Sequence, residues 1–431
     1  MFFHAHPPSL PRPAHRRLAA PFARLAAAVG VWAAVIGCES SVAAPFVPAH
    51  DDDVVEQLPA RIGSPDQRRQ QRLAQERLKR QPAQLPLALQ LAREAIDRAR
   101  RLGDPRELGQ AQAALAPWWT STSPPPAVRL LRAVILQSQH AFPAALQDLD
   151  VLVRPGGDVP LPLRAQAELT RASVLQVQGR WPEAEAGCTR LASPVYASLG
   201  AAVQWPARAC LAELASLQGR SRQASRDLAS LARDNAPAWL TLMRAELAER
   251  RGEPAAEALF RQALRRDDPA DQGVADVYSL AALADWLLDH RRAAEVVPLL
   301  AGREDADALL LRLAIAWRAT GDPRAVGAIR TLGERFDAAA LRGDRSHGRE
   351  QARFELDLQD APAAALPIAQ ANWAVQKEPA DALVLLRAAE AAHAPAAADP
   401  VRQLVSQSGW EDVRLMAAGA RPTVASLGAR P

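Results

Sequence analysis

The sequence predicts an all-helical protein, an α-solenoid of stacked helix-turn-helix repeats. Three observations predict it. First, a phrase recurs. Arg132-Ala133-Val134-Ile135-Leu136-Gln137-Ser138-Gln139 leads into His140-Ala141-Phe142-Pro143-Ala144-Ala145, and 39 residues later Arg171-Ala172-Ser173-Val174-Leu175-Gln176-Val177-Gln178 leads into Gly179-Arg180-Trp181-Pro182-Glu183-Ala184. Self-similarity at this period marks a repeat architecture. Second, the hydrophobic content of 49% is rich in alanine and leucine, while the alternating β-branched and aromatic runs that a sheet requires are scarce. Third, turn signals recur near 140, 179, 219, 252, 291 and 321, at spacings of 39, 40, 33, 39 and 30 residues. Such spacing describes divergent repeats with insertions between pairs. An array of this kind grows in one dimension, so 431 residues need not divide into two or three ordinary domains.

In chain order, residues 1–43 read as a signal peptide. Arg16, Arg17 and Arg24 precede thirteen apolar residues, Leu25–Gly37, a length suited to a leader and too short to span a bilayer. Two exits follow. Ser41-Val42-Ala43 offers small residues for cleavage before Ala44. Val35-Ile36-Gly37-Cys38 resembles a bacterial lipobox with Val in place of the usual Leu, and would end the leader at residue 37 with Cys38 lipidated. The leader also accounts for the basic balance. The formal charge is +4, and Arg12, Arg16, Arg17 and Arg24 all precede the first acid, Glu39. The remainder is close to neutral with both signs interleaved, which excludes the concentrated basic face of a nucleic-acid binder.

Residues 44–84 form a polar lead-in and an N-terminal helix. The run His50-Asp51-Asp52-Asp53 reads as a solvated tail or a helix start rather than a metal site. Ser64-Pro65 opens a helix that is polar nearly all round and that Pro82 ends. The paired helices occupy residues 85–395. The segment from Ala116 through Pro126, with Trp118 and Trp119, reads as a loop; one of these tryptophans is expected to plug the first pair. Pro155-Gly156-Gly157 separates the two signature repeats. The stretch Arg342–Glu350 is expected to be a solvated connector, since His347 and Glu350 lack the spacing of a metal or catalytic motif. Residues 396–417 form a single capping helix, and 418–431 a disordered tail.

Outside Cys38 the cysteines are Cys188 and Cys210. They fall on the second helix of one repeat and the first of the next, so a disulfide is geometrically feasible in an oxidising compartment, the alternative being two buried thiols that act as small apolar residues. Closing that loop is worth roughly 3 kcal/mol.

The offsets within the doubled phrase carry a resemblance. Ala133 and Ala172 are small where two helices approach, Leu136 and Leu175 follow one turn later, Phe142 and Trp181 open the second helix, and Ala145 and Ala184 face back. This spacing resembles the tetratricopeptide repeat. The resemblance covers roughly residues 85–395 and is sharpest at 128–153 and 164–192. It implies a right-handed superhelix whose first helices line a concave groove that binds partner peptides. On that basis Gln137 and Gln176, one turn past the small position, face the groove, and Arg132, Arg171 and Arg244 reach it or its rim. The partner implied is a protein or extended peptide. No nucleic acid, small-molecule substrate, cofactor or metal is called for, and contact with a membrane arises only through Cys38. The expected function is that of a non-catalytic exported scaffold, with a subunit of an outer-membrane assembly and an accessory to a glycan-acting envelope enzyme as alternatives. Similar superhelices in lytic transglycosylases carry a separate catalytic domain, and no segment here is large enough for one.

Overall fold

The structure, a computed structural model, describes residues 65–232, 237–265, 276–343 and 347–419. The leader with Cys38, the His50–Asp53 run and the tail beyond Gly419 lie outside the described residues. The chain divides into two units, one of them Ser9–Arg69, and the architecture below is that of the unit running from Gln70 onward. The helix α1 (Pro65–Arg80) crosses the boundary.

Among the described residues every regular element is helical. Eight helical pairs follow α1: α2 (Leu85–Leu102) with α3 (Arg106–Ala114), α5 (Pro126–Ser138) with α6 (Phe142–Val153), α7 (Leu161–Val177) with α8 (Trp181–Leu191), α9 (Ala201–Leu217) with α10 (Ser221–Leu231), α11 (Ala238–Arg250) with α12 (Ala256–Arg265), α13 (Val277–Asp289) with α14 (Ala293–Leu300), α15 (Asp307–Thr320) with α16 (Arg324–Leu341), and α17 (Gly348–Asp357) with α18 (Pro362–Val375). A short α4 (Ala116–Trp119) lies between the first two pairs, and α19 (Pro379–Ala391), α20 (Asp399–Ser408) and α21 (Val413–Ala417) end the described chain.

One backbone device turns every pair. Gly103, His140, Gly179, Gly219, Gly252, Arg291, Gly321 and Asp360 sit between the two helices with positive φ. After Asp360 the Ala361 N–H bonds Glu355, six residues back, at 2.9 Å. In six of the eight the N–H that follows bonds a carbonyl five residues back, among them Arg180 to Leu175 at 2.8 Å, Arg220 to Ala215 at 2.9 Å, Glu253 to Ala248 at 2.8 Å and Arg292 to Leu287 at 2.9 Å. This is the Schellman closure, which satisfies a carbonyl that the helix end would otherwise orphan. Arg291, without glycine's freedom, adopts the same turn at φ 60°. Proline at the first or second position starts α5, α6, α7, α8, α18 and α19, where its missing N–H costs nothing.

Stacking repeats this unit. Each first helix packs on the next first helix, from α5 through α7, α9, α11, α13, α15 and α17 to α19. The second helices α6, α8, α10, α12 and α14 each pack on the first helix of the following pair, and Phe354 meets Phe336 at 5.3 Å to join α17 to α16. Of the doubled phrase, Ile135 is buried in the cluster of the first pair, while Ala133, Leu136, Phe142, Ala145, Ala172, Leu175, Trp181 and Ala184 are buried together in another cluster. That cluster also contains Trp373, Leu385, Trp410 and Leu415. The array therefore returns on itself: the Lys377 N–H donates to the Val177 carbonyl at 2.7 Å, and α2 packs on α13.

Three local expectations are corrected. The segment after Ala116 is not simply a loop, because α4 tucks Trp119 into the first core and half-buries Trp118 against it. The single capping helix of 396–417 is two helices, broken at Gly409, whose φ of 71° ends α20. Arg349 and Glu350 belong to the first turn of α17 rather than to a connector.

Candidate functional site

The first helices enclose a cavity of about 610 Å³, and α19 and α21 complete its wall. Its lining is ionic although it is largely withdrawn from solvent. A charge in such a place must be paired, and here the partners sit on neighbouring helices. Between α9 and α11, Arg250 donates to both oxygens of Glu213 at 2.8 and 2.7 Å, and to Ser216 at 3.0 Å. From α11 to α13, the Tyr278 hydroxyl donates to Glu246 at 2.6 Å. Asp285 of α13 accepts from Arg312 of α15 at 2.5 Å and from Arg353 of α17 at 2.7 Å. From α17, Arg349 donates to Glu378 at the start of α19 at 3.1 Å, and Asp357 accepts from Arg387 at 2.5 Å. Arg414 of α21 donates to Glu249 at 2.6 Å. The cavity wall is thus a set of helices tied side to side by polar bonds.

The charges are not balanced evenly. Burial raises the carboxyl of Glu246. Burial pushes Glu249 up to about 8, opposed by Arg414 and reinforced by Asp289, Asp412 and Glu246. Asp289 is raised by burial and then by Asp285. Asp285 differs: burial works to raise it, but Arg312 and Arg353 outweigh that and hold it below the usual carboxylate range. Glu246, Glu249 and Asp289 therefore mark an acidic side between α11 and α13. Lys377, beside the Trp373 ring at 5.9 Å, lies at the start of α19 and is lowered by burial. Tyr278 is 41% exposed although it lines the cavity, so its ring faces open space. Among the described residues no group of three or more His, Cys, Asp or Glu is arranged to hold a metal ion.

Of the residues that the sequence suggested for the groove, one lines this cavity. Gln176 does, and its side-chain carbonyl oxygen has no hydrogen-bond partner. Gln137 does not: it is fully buried on α5, with neither amide atom bonded, and a side chain without exposed surface meets no partner. Arg132 clamps Asp148 through two bonds of 2.7 Å and holds the carbonyls of Trp119 and Ser121 at 2.8 and 2.9 Å. Its donors are committed to joining α5, α6 and the segment after α4. Arg171 pairs with Asp150 of α6 at 2.6 Å, and Arg244 is half-buried on α11 away from the cavity. Cys188 and Cys210 are bonded, with Cα atoms 6.1 Å apart, and tie α8 to α9.

Sequence reasoning missed most of the lining, yet a signal was present. Glu213, Glu246 and Asp285 each stand six residues before the left-handed turn residue of three successive pairs. On α13, Tyr278, Ala282, Asp285 and Asp289 form one helical stripe. A polar stripe on helices that are otherwise buried is the pattern to look for.

The architecture and site together define an all-helical array of paired helices around an ionic cavity. No protein-family model matches the chain, and no curated protein sequence matches it.

Proposed function

We propose that this chain is a non-catalytic, exported scaffold of tetratricopeptide type, which takes an extended segment of a partner protein into the cavity formed by its first helices. One observation carries the reading: the cavity is lined by the first helix of pair after pair, the face that a superhelix of such repeats presents to a partner. Its volume lies within the range of sites that enclose small ligands, so it suits a few residues of extended chain rather than a folded domain. Tyr278 supplies an open aromatic face of the kind enriched at binding hot spots. Gln176 contributes an amide side chain to the cavity lining. The disulfide between Cys188 and Cys210 supports an oxidising compartment, in line with the leader.

In-cell crosslinking of the full chain followed by mass spectrometry identifies the partner. The double variant Tyr278→Ala with Gln176→Ala is expected to keep its helical circular dichroism and lose the crosslinked species. Unchanged capture with unchanged dichroism overturns the reading. A second reading, a lipid-anchored subunit of an envelope assembly, is favoured by the Val35–Cys38 motif. Metabolic labelling with a palmitate analogue, lost in Cys38→Ala, separates it from a free periplasmic protein.

A further inference from the structure

The end of the described chain does something that the repeat pattern does not require. After α20, residues 409–418 cross the turns of three successive pairs. The Gly409 carbonyl oxygen comes within 2.9 Å of where a side chain on Gly219 would begin, in the α9–α10 turn. Trp410, 2% exposed, meets Trp181 of the α7–α8 turn edge-on at 5.8 Å. Glu411 accepts from Ser221, whose hydroxyl also receives Arg251 at 2.8 Å. Val413 lies 3.4 Å from the same point on Gly252, in the α11–α12 turn. Arg414 then reaches Glu249, and Arg414, Ala417 and Ala418 form part of the cavity wall.

The segment is held by these contacts and not by its own structure. Residues 410–412 are non-helical and α21 has five residues, far short of the length at which a helix is stable alone. Its attachments are Trp410 and Leu415 in the core, the packing of α21 on α19, and the bonds of Glu411 to Ser221 and of Arg414 to Glu249. Moving it takes Arg414, Ala417 and Ala418 out of the cavity wall without breaking any helical pair.

We infer that Gly409–Ala418 is a strap that closes one side of the cavity and swings away to admit or release the bound segment. This rests on the reading of the cavity as the partner site. The strap regulates that site by forming part of its wall, so an incoming segment competes with residues 409–418 of the same chain.

Hydrogen–deuterium exchange on the full chain, without any partner, tests the strap independently of that reading. Amides of 409–418 are expected to exchange at least about tenfold faster than those of α7 and α9, because they open locally while the helices beneath stay closed. Arg414→Gln keeps Trp410 in place and is expected to raise exchange in 409–418 about threefold or more, leaving α5 and α6 at the wild-type rate. Trp410→Ala is expected to go further and to add exchange in α11 and α13, the helices behind the strap. The proposal is overturned if 409–418 exchanges in step with α7 and α9 in the wild type, if Arg414→Gln changes nothing, or if either variant loosens α5 and α6 equally. A strap that opens as described while crosslinking captures no partner removes the proposed function and leaves the strap standing.

Discussion

At the scale of single residues, the repeated phrase shows how position decides what a polar side chain does. Arg132 and Arg171 precede the small alanine in two copies, yet both pair with carboxylates of α6. Gln137 and Gln176 occupy the same repeat position, yet one is sealed in the core and the other lines the cavity. Two opposite outcomes are expected. Gln137→Met keeps the shape and removes two unbonded polar atoms, so urea denaturation should show a gain of about 1 kcal/mol. Arg132→Ala leaves Asp148, 5% exposed, with Arg129 as its remaining ion-pair partner and strands two backbone carbonyls, so the same measurement should show a loss of about 2–3 kcal/mol. Equal behaviour of the two variants would contradict the structural account of this pair of positions.

At the scale of elements, the turn is the unit that the sequence writes most clearly. Six of the eight left-handed turn residues follow the turn signals that set the repeat count, and five of those eight positions are glycine. Arg291 is exposed and holds φ 60° without glycine's freedom, so Arg291→Gly should be neutral to stabilising by up to about 1 kcal/mol. Gly219→Ala adds a left-handed cost of about 1–2 kcal/mol and drives a methyl against the Gly409 backbone. Its thermal midpoint should fall well below that of Arg291→Gly. The bridge between Cys188 and Cys210 joins neighbouring pairs, and its reduction should lower stability by roughly 3 kcal/mol, read as a drop in midpoint on adding dithiothreitol. Apolar periodicity and turn chemistry made helices, pairs and core legible, since these are properties of residues near in sequence. The cavity was not legible in the same way. Glu213 finds its partner 37 residues away and Glu249 finds Arg414 165 residues away, and no local pattern states which charged helix faces will meet. Gln137, Gln176, Arg132 and Arg171 come from the two copies of the doubled phrase, and only Gln176 lines the cavity, whereas most of the site is made by helices whose phrases have diverged.

At the scale of the whole array, closing the cavity has a cost in protons. Glu246, Glu249 and Asp289 are each raised by burial, and Asp412 and Asp285 add repulsion from the strap and from α13. A carboxyl whose folded value lies above its unfolded one binds its proton more tightly in the folded state. Glu249 therefore contributes stability that is fully present below about 4.5 and is lost as the pH rises through about 8. Arg414 limits that loss but does not cancel it, because the net displacement is upward. Wild-type protein should thus unfold at progressively lower temperature from pH 6 to about pH 8, with the fall flattening beyond. Glu249→Gln imitates the protonated state at every pH. The variant should already be the more stable of the two near pH 6, and its advantage should grow by up to about 1.4 kcal/mol per pH unit until the pH passes about 8. Melting curves of both proteins at pH 6, 7.5 and 9 decide the matter: parallel pH profiles mean that Glu249 is ionised throughout and that the acidic side of the cavity is neutralised by some other arrangement of its arginines.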